Sequence, residues 1–387
     1  MMYDIIIIGA GTAGLTAGIY SARAKRKTLI LDRKRPGGQA ATTERMENYP
    51  GFPDGIRGRE LLDLFARQAE KMGSSIERHE VSGITVKDNC YAVHTKDSRE
   101  FLGKAVILAP GCQPRRLGIP GEEAYSGRGV SYCATCDAEI YEEAKIIVIG
   151  SGDTAVEEAV YLSRFADEVA MVVVHDEGTL DCNRSMAEEA MKNEKLTWRW
   201  NRSVTAIEGD DIVTGVRLKN LKTGEEEVEE CEGVFMFVGT VPQTAFLEGF
   251  VSLNRGYIVT NEKMETNVPR IYGAGDGSAT NLRQVVTAAA DGAKAAFFAD
   301  KALCEEEDFQ RAVSGAGNEY LIYFYTPPVQ KSLDMIPDAE KKAADTGLAL
   351  VKFDTFRFRE TASGFGVTEV PKLLKVKKGA DTEELDF

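Results

Sequence analysis

Twice in this chain an apolar strand runs into a glycine-rich turn and out again into a helix. That repeat limits the fold more than any other feature. Asp4-Ile5-Ile6-Ile7-Ile8 is a near-continuous apolar run, as a parallel strand covered on both faces requires. Gly9, Gly11 and Gly14 follow with Gly-x-Gly-x-x-Gly spacing and open a helix expected to reach about Ala24. In such a turn the first glycine permits the bend, the second lets a pyrophosphate approach the backbone, and the third lets helix pack on strand. The helix N-terminus then turns its partial positive charge towards the phosphates. A second strand, Thr28 to Leu31, ends at Asp32, where an acid takes ribose hydroxyls. The pattern returns at Lys145–Ile149, with Gly150, Gly152 and Ala155 as Gly-x-Gly-x-x-Ala, a helix to Phe165 and a strand from Val169 to Val174. The expected fold is α/β, with two Rossmann-like dinucleotide-binding units.

Just before the second unit stands Cys133-Ala134-Thr135-Cys136-Asp137. Two cysteines so spaced can close a small disulfide, and an electropositive or helix-N-terminal setting lowers the pKa of such thiols. Half a zinc site looks the same, but zinc needs two further ligands at metal spacing. Cys90, Cys112, Cys182, Cys231 and Cys304 are scattered singly, and His79, His94 and His175 form no ligand pair, so no metal is expected. A buried, inert pair is the bland alternative. A dithiol that exchanges electrons reads better, because two nucleotide units around it imply a relay between a resident flavin and a nicotinamide that comes and goes.

At 387 residues the chain should divide into two or three domains. No run approaches the length of a membrane helix. Seven cysteines without framework spacing suggest a reducing cytoplasm, and a net charge of −14 argues against nucleic acid as partner. Residues 59–72 read as an amphipathic helix. Ile271-Tyr272-Gly273-Ala274-Gly275-Asp276 ends a strand with an acid that could hold a polyol hydroxyl or cap a helix. Arg283-Gln284-Val285 opens an alanine-rich helix expected to reach Ala302. Cys304-Glu305-Glu306-Glu307-Asp308 reads as a charged junction to a small α/β module. There Tyr320–Tyr325 and Leu348–Phe353 are strands, a helix spans 331–345, and Val370-Pro371 precedes a strand at Leu373–Val376.

With those residues in place, the chain resembles the low-molecular-weight, bacterial-type thioredoxin reductases from residue 3 to about 300. The resemblance rests on Gly9–Gly14, Gly37-Gly38-Gln39, Glu47-Asn48 with Pro50-Gly51, the Cys133–Asp137 stretch, Gly275-Asp276 and Arg283-Gln284. It implies an FAD domain split as 1–115 and 246–300 around a pyridine-nucleotide domain, 116–245, in a cytoplasmic homodimer whose domains swivel. Gly9, Gly11, Gly14, Asp32, Gly38, Gln39, Thr43, Asn48, Gly275, Asp276, Arg283, Gln284 and Val285 would hold FAD. Gly150, Gly152 and Ala155 would receive the nicotinamide dinucleotide. Cys136 would face the flavin, Cys133 would attack the disulfide of thioredoxin or a similar dithiol protein, and Asp137 would protonate the departing thiolate. A helix N-cap is the bland reading of Asp137.

Three departures from the family pattern stand out. Ala138 replaces a glycine and Pro110 interrupts an Ala-Thr-Gly turn, both minor. The third concerns the donor. Where the family carries His-Arg-Arg and a further arginine for the 2′-phosphate of NADPH, this chain reads Val173-Val174-His175 and Thr179, with only Arg184 nearby and Asp176 and Glu177 to repel. NADPH is therefore expected to be a poor donor and NADH a better one. Ferredoxin reducing the flavin directly is an alternative, as is a non-catalytic redox sensor. The module from about 305 to 387 resembles a thioredoxin domain with Pro328-Val329-Gln330-Lys331-Ser332 in place of the redox motif. Both cysteines are missing, and no usual last helix follows.

Overall fold

The computed structural model describes residues 2–43, 46, 48–280, 282–378 and 382–386; Glu47 of the family stretch lies outside them. The first sheet begins with β1 (Met2–Ile8), α1 (Thr12–Arg23), β2 (Thr28–Asp32), α2 (Gly58–Met72) and β3 (Ser75–Arg78). β4 (Val81–Lys87), β5 (Cys90–Thr95) and β6 (Glu100–Leu108) continue it. Parallel pairing sets Ile5 against Thr28 on one side and Ala105 on the other, so the isoleucine run is sandwiched in the sheet centre. Ile5, Ile6 and Ile7 are fully buried, and each contributes roughly 1.5–3 kcal/mol of burial. The strand order is β3-β2-β1-β6-β5-β4.

The chain leaves this sheet through β7 (Cys112–Pro114) and builds a second one from β8 (Val130–Ser131), α3 (Ala134–Asp137), β9 (Lys145–Ile149), α4 (Asp153–Leu162), β10 (Glu168–Val173), α5 (Arg184–Ala190) and β11 (Leu196–Trp200). An antiparallel β12 (Arg202–Gly209), β13 (Val213–Asn220) and β14 (Glu226–Glu230) follow, then β15 (Gly233–Met236), which completes the parallel order β11-β10-β9-β15-β8. The segment 227–238 is thus divided between two strands. β14 carries four glutamates and is largely exposed, whereas β15 is buried. The return strand β16 (Thr240–Pro242) pairs antiparallel with β7, so outgoing and incoming chain lie side by side.

β17 (Leu253–Asn254) and β18 (Tyr257–Ile258) form a small hairpin of their own, and β19 (Ile271–Gly273) then rejoins the first sheet, pairing with Val106–Leu108 of β6. Then α6 runs from Val285 to Val313, well past the expected end near Ala302. The acidic stretch is helix rather than junction. Arg26, only 9% exposed, bonds Asp300 and Glu307 at 2.6 Å each, which draws the acids onto the flank of α1. Phe309 near the far end packs on Phe353 and Phe365. A buried cation and an aromatic anchor offset the mutual repulsion of the acidic side chains.

The last segment holds β20 (Glu319–Tyr325), α7 (Gln330–Asp334), α8 (Ile336–Thr346), β21 (Ala349–Asp354), α9 (Arg359–Gly364), β22 (Lys372–Lys377) and β23 (Glu383–Leu385). The single helix expected over 331–345 is broken before Ile336, where Pro337 in the first turn favours a new start. The sheet order is β21-β20-β22-β23, parallel in its first pair and antiparallel in the other two. The Val370–Pro371 bond ahead of β22 is cis.

Candidate active site

Cys133 and Cys136 are joined as a disulfide, with Cα atoms 5.3 Å apart. Ala134, fully buried, roots the single turn of α3 in the second core, while both cysteines remain partly accessible. Asp137 does not cap a helix through its side chain. Its Oδ2 accepts a 2.6 Å bond from Ser131 Oγ, which itself accepts the N–H of Cys133 at 3.1 Å. Burial raises the pKa of the Asp137 carboxyl, opposed by the bond from Ser131. Burial, as the largest cause, pushes the Cys112 thiol up to about 11 and Cys231 up to about 12, and it also raises Cys182 and Cys304. Among the described residues no group of three His, Cys, Asp or Glu could hold a metal ion.

A hydrogen-bond chain links this turn to the first sheet. Gln284 Nε2 donates to Thr135 Oγ1 at 3.0 Å, and Asn48 Nδ2 donates to Gln284 Oε1 at 3.1 Å. Thr135 Oγ1 lies 3.5 Å from Cys133 Sγ. Gln284, which the family resemblance places with the flavin, thus reaches the redox turn itself, and Asn48 is joined to the turn through Gln284. Ser131 and Thr135 carry no signal of these roles in the sequence, because their partners are fixed by tertiary approach.

Gly9 and Gly11 form the turn between β1 and α1. A Cβ on Gly14 would lie 1.8 Å from Gly9 O, so only glycine lets helix and turn close. Gly38, with φ +59°, faces Gly11, and a Cβ there would come within 3.1 Å of Gly11 Cα. Gln39 opens the short turn Gln39–Thr42, with Thr43 just after it. Asp32 ends β2 and accepts the N–H of Ala10 at 2.6 Å and of Lys34 at 2.9 Å. Gly275 and Asp276 sit in a short 3-10 turn, and the N-cap of α6 is Gln284, so the capping alternative for Asp276 does not hold. Burial foremost, then the charge of Asp291, pushes Asp276 up to about 6, while Arg283 pulls it down. Arg283 stacks over Tyr257 at 4.7 Å, and its buried Nε has no partner among the described residues. Two facing glycine backbones, a strand-end acid, a buried carboxyl and an unpartnered N–H make donor and acceptor sets that fit FAD.

In the second turn Gly150, Gly152 and Ala155 occupy the equivalent places between β9 and α4. Beyond β10, Asp176 pairs with Lys222, His175 with Asp181, and Arg184 with Glu188. Each of these three basic side chains therefore has an acidic partner.

Two dinucleotide-type sheets in one chain, with a disulfide on the turn beside the second, define a class of nucleotide-dependent disulfide oxidoreductases. A family model described as pyridine nucleotide-disulphide oxidoreductase matches residues 3–292. The thioredoxin reductase of Treponema pallidum (strain Nichols) is 42% identical over 294 residues, 76% of this chain and 95% of that protein. Among solved structures, thioredoxin reductase from Streptococcus pyogenes MGAS5005 matches with TM-score 0.73 and 38% identity over 78% of this chain and 98% of that one. That from Giardia duodenalis matches with TM-score 0.74 and 34% identity over 78% and 99%. The chain belongs to the thioredoxin reductase family and is a flavoprotein oxidoreductase acting on disulfides. No helix among the described residues is long and apolar enough to cross a membrane.

Proposed function

We propose that this enzyme passes reducing equivalents through Cys133 and Cys136 to thioredoxin or a similar dithiol protein, from a donor other than NADPH. The observation that carries the reading is the chain from Asn48 through Gln284 to Thr135, which joins the flavin cradle to the redox turn. The cradle residues named above would hold FAD in the domain 1–115 plus 246–300, with 116–245 inserted. Bound there, FAD supplies a two-electron redox couple. Two electrons and two protons open the Cys133–Cys136 bond. The Cys133 thiolate then attacks one sulfur of the partner disulfide, forming a mixed disulfide and expelling the other sulfur, which Asp137 protonates. Cys136 attacks Cys133, re-forming the internal disulfide and releasing the second partner sulfur. The balance is one disulfide reduced by two electrons and two protons.

The test is anaerobic titration of the purified yellow protein with NADH, NADPH and reduced ferredoxin, followed by flavin absorbance and by reduction of added thioredoxin. Absence of bound FAD, or flavin bleaching without sustained thioredoxin reduction by any donor, would overturn the reading. The latter outcome is that of a redox sensor. Bleaching by ferredoxin alone would favour the protein-donor alternative.

We also read residues 305–387 as a redox-silent thioredoxin-like domain. Supporting this are the mixed sheet order and the residues at the two cysteine positions. Val329 is 38% exposed, and Ser332 is fully buried, its Oγ bonded to Thr326 and Val329 carbonyls. Neither side chain can take electrons. Ending the chain at Cys304 is expected to leave FAD binding and reduction of Cys133–Cys136 intact, since solved relatives match over 98% and 99% of their own length within 78% of this chain. The rate with the protein partner should change, read as kcat/KM for thioredoxin. Equal rates in both forms would show the domain has no part in the reaction.

A further inference from the structure

The second dinucleotide turn is flanked by carboxylates. Residues 178–183 fold back over the start of α4, where Asp181 N donates to Ser151 O at 2.9 Å and Asp181 bridges to Gly152. The Asp181 carboxylate accepts from Ser151 Oγ at 2.7 Å and lies 2.8 Å from His175 Nε2. Asp153, the first residue of α4, accepts the backbone N–H of Asn183 at 2.8 Å and its side-chain amide at 3.3 Å. Asn183 is fixed in turn as the N-cap of α5, accepting from Met186 N at 3.0 Å. Bonds from Ser151 and His175 hold the Asp181 carboxyl below the usual carboxylate range, so it is charged at neutral pH.

A Cβ on Gly152 would meet nothing within 4 Å, so the approach over that glycine is sterically open. The side chains beside it, Asp153 and Asp181, are carboxylates. The positive end of α4 already faces its own Asp153, and the Ser151 hydroxyl is spent on Asp181. Nearby cations do not offset this, because Lys222 is engaged by Asp176 and Arg184 by Glu188.

We infer that Asp153 and Asp181 close this turn to the pyrophosphate group, so that it accepts neither NADH nor NADPH. The missing arginines disfavour only the 2′-phosphate of NADPH. The two carboxylates act on the two negative charges that both nucleotides share. This inference rests on the reductase reading only for its consequence, that reducing equivalents enter by a route that avoids the second turn.

The experiment is isothermal titration of the full-length holoprotein with NADH and NADPH, for the wild type, Asp181→Asn and the double variant Asp153→Asn/Asp181→Asn. Emission of Trp198 and Trp200 gives a second readout, because both lie on β11 and Trp200 pairs with Val173 at the end of β10. No saturable binding is expected in the wild type below about 1 mM, and NADH should bind the double variant about tenfold tighter or better. Wild-type binding of either nucleotide below that concentration overturns the inference, as does a double variant that binds NADH no better. Far-UV circular dichroism and FAD content check folding. Should the double variant fail, Asp181→Asn on the exposed strap decides by the same criterion. Dithionite reduction of the flavin and of Cys133–Cys136 in every protein separates the two readings. Failure there counts against the reductase mechanism and leaves the binding result standing.

Discussion

Cys133→Ser and Cys136→Ser are each expected to lower turnover with a protein disulfide by about 10³-fold or more, with FAD content unchanged. Serine matches cysteine in volume, and Ala134 between them keeps its place in the core, so neither change should disturb the fold. What is lost is specific to sulfur. Cys133→Ser removes the attacking thiolate, and Cys136→Ser removes the thiol that resolves the mixed disulfide, so the second variant should trap its partner covalently. No other thiol can substitute. Cys112 and Cys231 are buried and held protonated, and Cys304 sits on α6 with its sulfur 2.9 Å from Arg26 Nη2. Steady-state thioredoxin reduction and non-reducing electrophoresis of partner mixtures check both points. Sustained turnover in Cys133→Ser would show that the division of labour is wrong.

The legible parts of this chain were those in which a local pattern has one physical solution. Ile5–Ile8 cannot sit anywhere but a sheet centre, and the glycines after it cannot be anything bulkier, because the third would strike the first. The Cys133–Cys136 pair was equally local. The sequence failed where distant residues decide. The extension of α6 to Val313 depends on Arg26, which lies 274 residues before Asp300 in the chain. The roles of Ser131 and Thr135 depend on how the redox turn meets neighbouring elements. Asp181 carries no local signal either, since nothing in the sequence reveals that residues 178–183 return to Ser151, 30 positions earlier. The N-cap alternatives for Asp137 and Asp276 rested on local sequence alone, and neither side chain caps a helix. Each carboxyl is instead buried, which favours its neutral form.

Asp137→Asn is expected to slow the step with the partner disulfide by about 10²-fold, leaving chemical reduction of the internal disulfide intact. Asparagine keeps the shape and can still accept from Ser131 but holds no acidic proton. The pH profile distinguishes an acid from a mere support. Burial raises the pKa of Asp137, so the neutral, proton-bearing form persists to higher pH than in an exposed aspartate. A proton donor of this kind works below its pKa and fails as pH rises through it. The wild-type rate should therefore fall on the alkaline side, and Asp137→Asn should show a low rate without that limb. Ser131→Ala removes the bond that favours the charged form, so its alkaline limb should move to higher pH. Stability carries the same sign. The neutral carboxyl is the form burial favours, so its contribution is present below the unfolded pKa and lost as pH rises through the folded one. At neutral pH Asp137→Asn should consequently melt no lower than the wild type. A fall in Tm with an unaltered pH profile would assign Asp137 to the fold and not to the reaction.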